Sequence, residues 1–139
     1  MIHLFLDTNI LIDFLVNRQP FSLEAAKLFD YSEKGKAKIY VAAVSYNNLY
    51  YIIRQSLSHS DTIKLLDELS ELVEIIDTTK SVVTKAIKSD FKDFEDAIQY
   101  HCALSNNKIK AIVTRDSKGF KKSSLSVLSP KEALGLFES

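Results

Sequence analysis

At 139 residues the chain is long enough to bury a core and short enough for a single domain over 1–139, and its 46% hydrophobic and 26% charged residues are those of a globular protein. Lys and Arg number 18 and so do Asp and Glu, and a zero net charge excludes a protein that coats nucleic acid through a wide basic face, though not one with a local basic patch. The single Cys102 excludes an internal disulfide and a cysteine-based zinc site, and no apolar run approaches the ~18 residues of a membrane span.

The predicted elements alternate strand and helix. Ile2 to Leu6 is a continuous apolar run, as expected of a parallel strand covered on both faces. Thr8 or Asn9 can cap a helix with Ile10, Leu11, Phe14 and Leu15 on one face, which Pro20 ends. Ser22 opens a second helix, with Leu23, Ala26, Leu28 and Phe29 inward and Gly35 at its C-cap. Ile39 to Val44 is a second strand, and Ser45 reads as the N-cap of a helix bearing Leu49, Ile52 and Ile53. A helix over Asp61 to Glu71 leads to a third strand, Leu72 to Ile76. Helices near Thr79 to Lys88 and Asp93 to Ser105 precede a fourth strand, Ala111 to Thr114, and a fifth, Ser126 to Leu128. Ser129 and Pro130 form an N-cap with Pro at the first helical position, starting a last helix with Ala133, Leu134 and Phe137. The order predicts an α/β fold: one parallel sheet of about five strands, flanked by helices. The start, Met1 to Asp7, lacks the basic segment of a signal peptide, so the expected location is the cytoplasm.

Asp7 follows the first strand and Asp116 the fourth. In open α/β sheets, ligands bind beyond the carboxyl ends of the strands. Two carboxylates sharing that crevice resist joint ionisation, and a hard divalent cation, Mg²⁺ or Mn²⁺, relieves the conflict. Each acid also has an ordinary reading. Asp7 can cap the helix after it, Asp93 can cap its own helix with Asp96 as a third-position carboxylate favoured by the helix dipole, and Asp116 lies in a turn-like stretch, Arg115 to Gly119. Asp93 and Asp96, three apart, share a helix face that differs from the apolar stripe of Phe94, Ala97, Ile98 and Cys102; Glu95 reads as a solvated side chain. Thr8, Ser45, Asn48 and Thr114 are auxiliary polar candidates: Asn48 offers a carbonyl oxygen but no charge, and Thr114 can bond a carboxylate or serve as a strand residue. Arg115, Lys118, Lys121 and Lys122 form a run that can grip phosphates or simply face solvent. Tyr46, Tyr50 and Tyr51 sit close together on one helix; most of that stripe reads as core, and one ring near the site can stack on a base. His3, His59 and His101 are scattered, without the spacing of a metal cluster or triad.

Four segments in order, Phe5-Leu6-Asp7-Thr8-Asn9, Asn48-Leu49-Tyr50-Tyr51-Ile52-Ile53-Arg54, Asp93-Phe94-Glu95-Asp96-Ala97-Ile98-Gln99 and Ile112-Val113-Thr114-Arg115-Asp116, resemble a PIN domain of the bacterial branch that includes VapC-type toxins. The closing Val127 to Leu134 extends the resemblance over nearly the whole chain. It implies a metal-dependent endoribonuclease acting on single-stranded RNA, possessing Mg²⁺ or Mn²⁺ held by the catalytic acids Asp7, Asp96 and Asp116. It also implies Asp93 as an extra acid, a homodimer and an antitoxin partner. One position departs from the family. Asn48 stands where the family usually has Glu, which predicts weaker divalent metal binding unless Asp93 restores the charge.

The competing expectation is a PIN-like nucleic-acid- or protein-binding module that keeps the groove without activity, with Asn48 as its mark. A phosphotransfer enzyme using Asp7 as nucleophile wants a second Asp two positions on, where Asn9 stands, and the chain has no glycine-rich phosphate loop.

Overall fold

The computed structural model describes residues 1–138. Five strands form one sheet, β1 (Ile2–Leu6), β2 (Ala37–Ala42), β3 (Glu74–Ile76), β4 (Ala111–Val113) and β5 (Ser126–Leu128). Their spatial order is β3-β2-β1-β4-β5, and every pairing is parallel. The described helices are α1 (Thr8–Leu15), α2 (Ser22–Glu33), α3 (Ala43–Ile53), α4 (His59–Leu72), α5 (Lys80–Ile87), α6 (Phe94–Leu104) and α7 (Pro130–Leu134), with a single 3-10 turn over Ser117–Phe120.

The continuous apolar strands are explained by two cores. Side chains alternate across a strand, so Leu4, Leu6, Ile39, Val41, Ala111 and Val113 face one cluster, shared with α1, α2, α3, α4 and α7. Phe5, Tyr40, Ala42 and Ile112 face the other, packed by α5, α6 and Phe120. Leu4, Phe5 and Leu6 are all fully buried. Truncating Phe5 to Ala there would cost about 3–5 kcal/mol.

The chain enters at β1 in the middle of the sheet, builds outward through β2 and β3, then crosses back to β4 and β5. Strand order therefore reverses between β1 and β4, where a crevice opens at the carboxyl edge.

Most local signals act as expected. Ser58, Thr79 and Asp93 cap α4, α5 and α6 by accepting backbone N–H groups, and Ser129 forms a capping box with Glu132 on α7. Gly35 follows the end of α2 with φ +76°, the left-handed conformation expected after a helix C-terminus.

Four expectations are corrected. The second strand runs Ala37–Ala42 rather than Ile39 to Val44, because the apolar run continues into α3. Ser45 is therefore no N-cap; it lies inside α3, fully buried. In α2 the inward stripe is Ser22, Ala25, Leu28 and Phe29, while Leu23 and Ala26, both expected inward, are exposed. Phe94, expected on the apolar stripe of α6, is 52% exposed, because it sits at the first residue of the helix, outside the packed face.

Candidate metal and nucleic-acid site

Asp7 occupies the N-cap position of α1 in backbone terms, yet its side chain caps nothing. Its carboxylate instead accepts from Gln99 Nε2 at 2.9 Å and from Thr114 Oγ1 at 2.7 Å. Its backbone N–H continues the sheet ladder to Val113 O at 3.0 Å, which fixes the end of β1 against the end of β4. Burial pushes the Asp7 carboxyl above its ordinary value and Asp116 pushes the same way, against the hydrogen bonds from Thr114, Gln99 and the Thr8 backbone.

Thr114, directly after β4, is a relay. Its hydroxyl donates to Asp7 and accepts from the Asp116 backbone N–H at 3.0 Å. Asn9 Nδ2 reaches the same hydroxyl at 3.5 Å, and Asn9 Oδ1 is buried with no partner among the described residues.

Asp96 enters from the first turn of α6, its backbone N–H bonded to the Asp93 carboxylate at 2.9 Å. Its carboxyl is pushed up to about 7, first by burial and then by the charges of Asp7, Asp93, Glu95 and Asp116. Five carboxylates from β1, α6 and the segment after β4 thus share one field. Asp96 and Asp116 converge over Gly119. A Cβ built on Gly119 would clash with Asp96 Oδ2 and lie 3.2 Å from Asp96 Cγ and 3.7 Å from Asp116 Oδ2.

The third side of the site is built by α3. Thr8 Oγ1 bonds Ser45 Oγ at 3.0 Å and Glu95 Oε2 at 3.2 Å, and Asn48 Nδ2 donates to the same Glu95 oxygen at 2.5 Å. Of the auxiliary candidates Thr114 touches Asp7, Thr8 and Asn48 touch Glu95, and Ser45 touches Thr8. Glu95, expected to be solvated, is half-buried in it.

The expected phosphate grip divides. A cleft of about 350 Å³ beside the acids is lined by Phe91, Lys92, Asp93, Asp96, Asp116, Lys118, Gly119, Lys121 and Lys122, with Asp90 at its edge. Arg115 turns away. Its Nε donates to Asp13 Oδ2 at 2.6 Å and a second nitrogen to Oδ1 at 3.2 Å, while its guanidinium stacks 3.8 Å from the Phe21 ring centroid. Asp13 is buried, and Arg115 is its counter-ion. Of the tyrosines of α3, Tyr46 bonds Ser70 and Tyr50 bonds His59, while Tyr51 is exposed.

Sequence reasoning missed Gln99, Gly119, Lys92 and the placement of Glu95. For Gln99 a signal existed, since it lies three residues after Asp96 and so shares its helix face. It is fully buried, and a buried amide demands partners, which Asp7 and Thr8 supply. For Gly119 none existed, because its closeness to Asp96 is tertiary.

The donor chemistry suits a hard divalent cation: oxygen ligands, mutual repulsion and a buried carboxylate at its centre. No group of three or more acidic, histidine or cysteine side chains among the described residues is arranged to hold a metal ion as it stands. The hydrogen bonds give the reason, since Asp7 is held by Gln99 and Thr114, and Glu95 by Asn48 and Thr8.

A second groove, about 590 Å³, opens around Ile12, Leu15, Val16, Ile52, Ile53 and Leu57, and none of the acids lines it. No described helix is long and apolar enough to cross a membrane.

The family model described as PIN domain matches residues 3–118. No curated protein matches the chain. Among solved structures, DNA-bound VapBC from Salmonella typhimurium superposes with a TM-score of 0.71 at 15% identity, covering 94% of this chain and 99% of that one. The Mycobacterium tuberculosis toxin VapC20, described as cleaving the sarcin-ricin loop, gives 0.68 at 13% identity, covering 86% and 94%. A toxin-antitoxin complex from Klebsiella pneumoniae gives 0.67 at 20% identity, covering 91% and 96%.

Proposed function

We propose, for a chain that belongs to the PIN domain family, that it is a VapC-like, metal-dependent endoribonuclease that hydrolyses phosphodiesters in single-stranded RNA. The observation that carries this reading is the meeting of Asp7, Asp96 and Asp116 at the carboxyl edge between β1 and β4, in a field that raises Asp96 to about 7. An uncompensated acid cluster is unfavourable on its own and suited to a cation.

In this reading Asp7, Asp96 and Asp116 hold Mg²⁺ or Mn²⁺, with Asp93 adding charge from the mouth of α6. When bound, the ion supplies Lewis acidity and a lowered pKa for an attacking water. Gln99 and Thr114 keep the Asp7 carboxylate oriented. Gly119 leaves room for Asp96 beside Asp116. Lys118, Lys121 and Lys122 line the cleft next to the acids and hold the RNA backbone. Single-stranded RNA is the proposed substrate, because unpaired nucleotides can be splayed out so that their phosphates reach a cleft beside the acids.

An antitoxin partner follows from the same likeness, and the apolar groove around Ile12, Leu15, Ile52 and Leu57 offers it a surface. A homodimer is part of the proposal.

The test is cleavage of a structured RNA by the purified chain with Mn²⁺. Cutting within exposed loops is expected, abolished by EDTA and by Asp96→Asn prepared identically. An Asp96→Asn protein that cuts as well as the parent overturns the enzyme reading. Metal binding without cleavage across a broad RNA panel favours the inactive binding module, for which Asn48 is the supporting residue.

A further inference from the structure

A further cavity, of about 420 Å³, adjoins the cleft beside the acids, and Asp90, Phe91 and Lys122 line both. Its other walls are Lys85, Lys88 and Ser89 at the end of α5 and Tyr100 and His101 of α6. Lys85 and Lys88, three apart, share a face of α5, while Val82 and Ala86 of the same helix are buried in the core cluster that α6 completes.

The frame of this cavity is held from three sides. Ser89 closes the turn out of α5: its hydroxyl donates to Ala86 O at 2.8 Å and accepts from the Phe91 backbone N–H at 3.4 Å. Phe91 stacks on buried Tyr100, with ring centroids 4.9 Å apart and planes at 28°. Tyr100 Oη accepts from the Ser124 backbone N–H at 3.1 Å, which holds the segment carrying Lys122 against α6.

The charge is one-sided. Among the described residues Lys85, Lys88 and Lys122 have no ion-pair partner, and Asp90 is the one acid in the wall. His101 sits edge-on to Tyr100 at 5.0 Å. Burial first, then the nearby charge of Lys85, holds its imidazole below the ordinary value, so near pH 7 it brings a hydrogen-bonding nitrogen rather than a charge. Surface lysines are ordinarily just solvated. These line a concavity with an aromatic wall, the pairing of features found on single-strand binding surfaces. The concavity also continues the cleft where Lys118, Lys121 and Lys122 flank the acids.

We propose that the cavity between α5 and α6 is a second phosphate subsite, where Lys85, Lys88 and Lys122 take a backbone phosphate of single-stranded RNA whose neighbouring segment lies at the acids. Lys122, shared by the two cavities, is the joint, and the strand passes over Phe91. The inference rests on the RNA reading above, needs no metal ion and assigns the strand a path across the surface.

The experiment is fluorescence anisotropy of a labelled oligouridylate of about 12 nucleotides, a length within single-strand site sizes. It is titrated with the full chain in EDTA at low ionic strength, so that nothing is cut. Lys85→Gln with Lys88→Gln is expected to weaken binding about 10-fold and to make the slope of log K against log salt shallower by about 1.4, at about 0.7 for each of two lost contacts. Lys85→Arg with Lys88→Arg keeps the charge and is expected to bind within about twofold of the parent. Lys108→Gln with Lys110→Gln removes the same charge just before β4, at the amino edge of the sheet, and is expected to change binding little. All four lysines are exposed, so the melting temperatures should stay near that of the parent. An equal loss in the Lys108 and Lys110 variant overturns the proposal, because bulk charge then accounts for it. Inorganic phosphate is the second probe. If Lys85→Gln with Lys88→Gln abolishes a phosphate-induced rise in melting temperature yet binds the oligouridylate like the parent, the cavity is a free-anion site and the strand path is overturned. Binding by the parent that this variant leaves unchanged removes the subsite alone, whereas no binding by the parent removes the RNA reading with it.

Discussion

Gly119 lies against the Asp96 carboxylate, so close that a side chain at 119 would clash with Asp96 Oδ2 and force it to shift. The residue type at 119 is therefore set by the acid of another element. Gly119→Ala is expected to leave the sheet and helices intact, because the 3-10 turn needs no positive φ there. It should displace Asp96 and weaken Mn²⁺ binding about 10-fold or more, the scale of changes that disorient a ligand. Calorimetry checks it, and unchanged affinity would show that Asp96 does not need this position to bind.

The raised carboxyls predict a pH dependence of stability. Asp96 has an ordinary value of 3.8 and is pushed up to about 7 in the fold, and Asp7 is raised as well. Between those values the folded chain holds more protons than the unfolded one, so the stability of the metal-free protein falls as pH rises through that window. The metal-free melting temperature of the parent should drop from pH 5 to pH 7.5 more steeply than that of Asp96→Asn. Mn²⁺ affinity should rise over the same window, because the ion competes with the proton. Parallel pH profiles for the two proteins would count against the shift.

Thr114 joins Asp7 to Asp116, accepting from one backbone and donating to one carboxylate at 2.7 Å. Thr114→Val keeps the shape and removes both bonds. Stability should fall by about 1–3 kcal/mol, the cost of leaving a buried acceptor unmet. Mn²⁺ should restore more of that loss than it adds to the parent, since the ion also satisfies Asp7. Denaturant melts with and without the ion read both quantities.

Arg115 sits in the basic run by sequence but pairs with buried Asp13 by structure. Arg115→Ala should destabilise the chain by about 3–5 kcal/mol, because it strands a buried charge that, among the described residues, only Arg18, at 3.9 Å, still approaches. RNA affinity of the folded fraction should keep its salt dependence. Lys121→Glu with Lys122→Glu should do the reverse, flattening the salt dependence while leaving the melting temperature nearly unchanged. A flattened salt slope in Arg115→Ala would return Arg115 to the phosphate grip.

Much of this protein is determined by local sequence. Continuous apolar runs at Ile2 to Leu6 and Ala111 to Val113 specify strands buried on both faces, and Ser58, Thr79, Asp93 and Ser129 each start a helix through a bond three residues away. The acids after β1 and β4 are legible too, because strand ends in parallel sheets face one edge. What only the tertiary structure decided is where the neighbouring polar side chains turn. The boundary of β2 slipped because apolar residues suit both a buried strand and the helix that follows it. Arg115, Glu95, Gln99 and Gly119 took their roles from Asp13, Asn48, Asp7 and Asp96, partners at least 23 residues away. Sequence periodicity reports which face a side chain leaves from. It does not report which charge or hydroxyl the fold brings to meet it, and that encounter separates a solvated carboxylate from one held by partners on other helices.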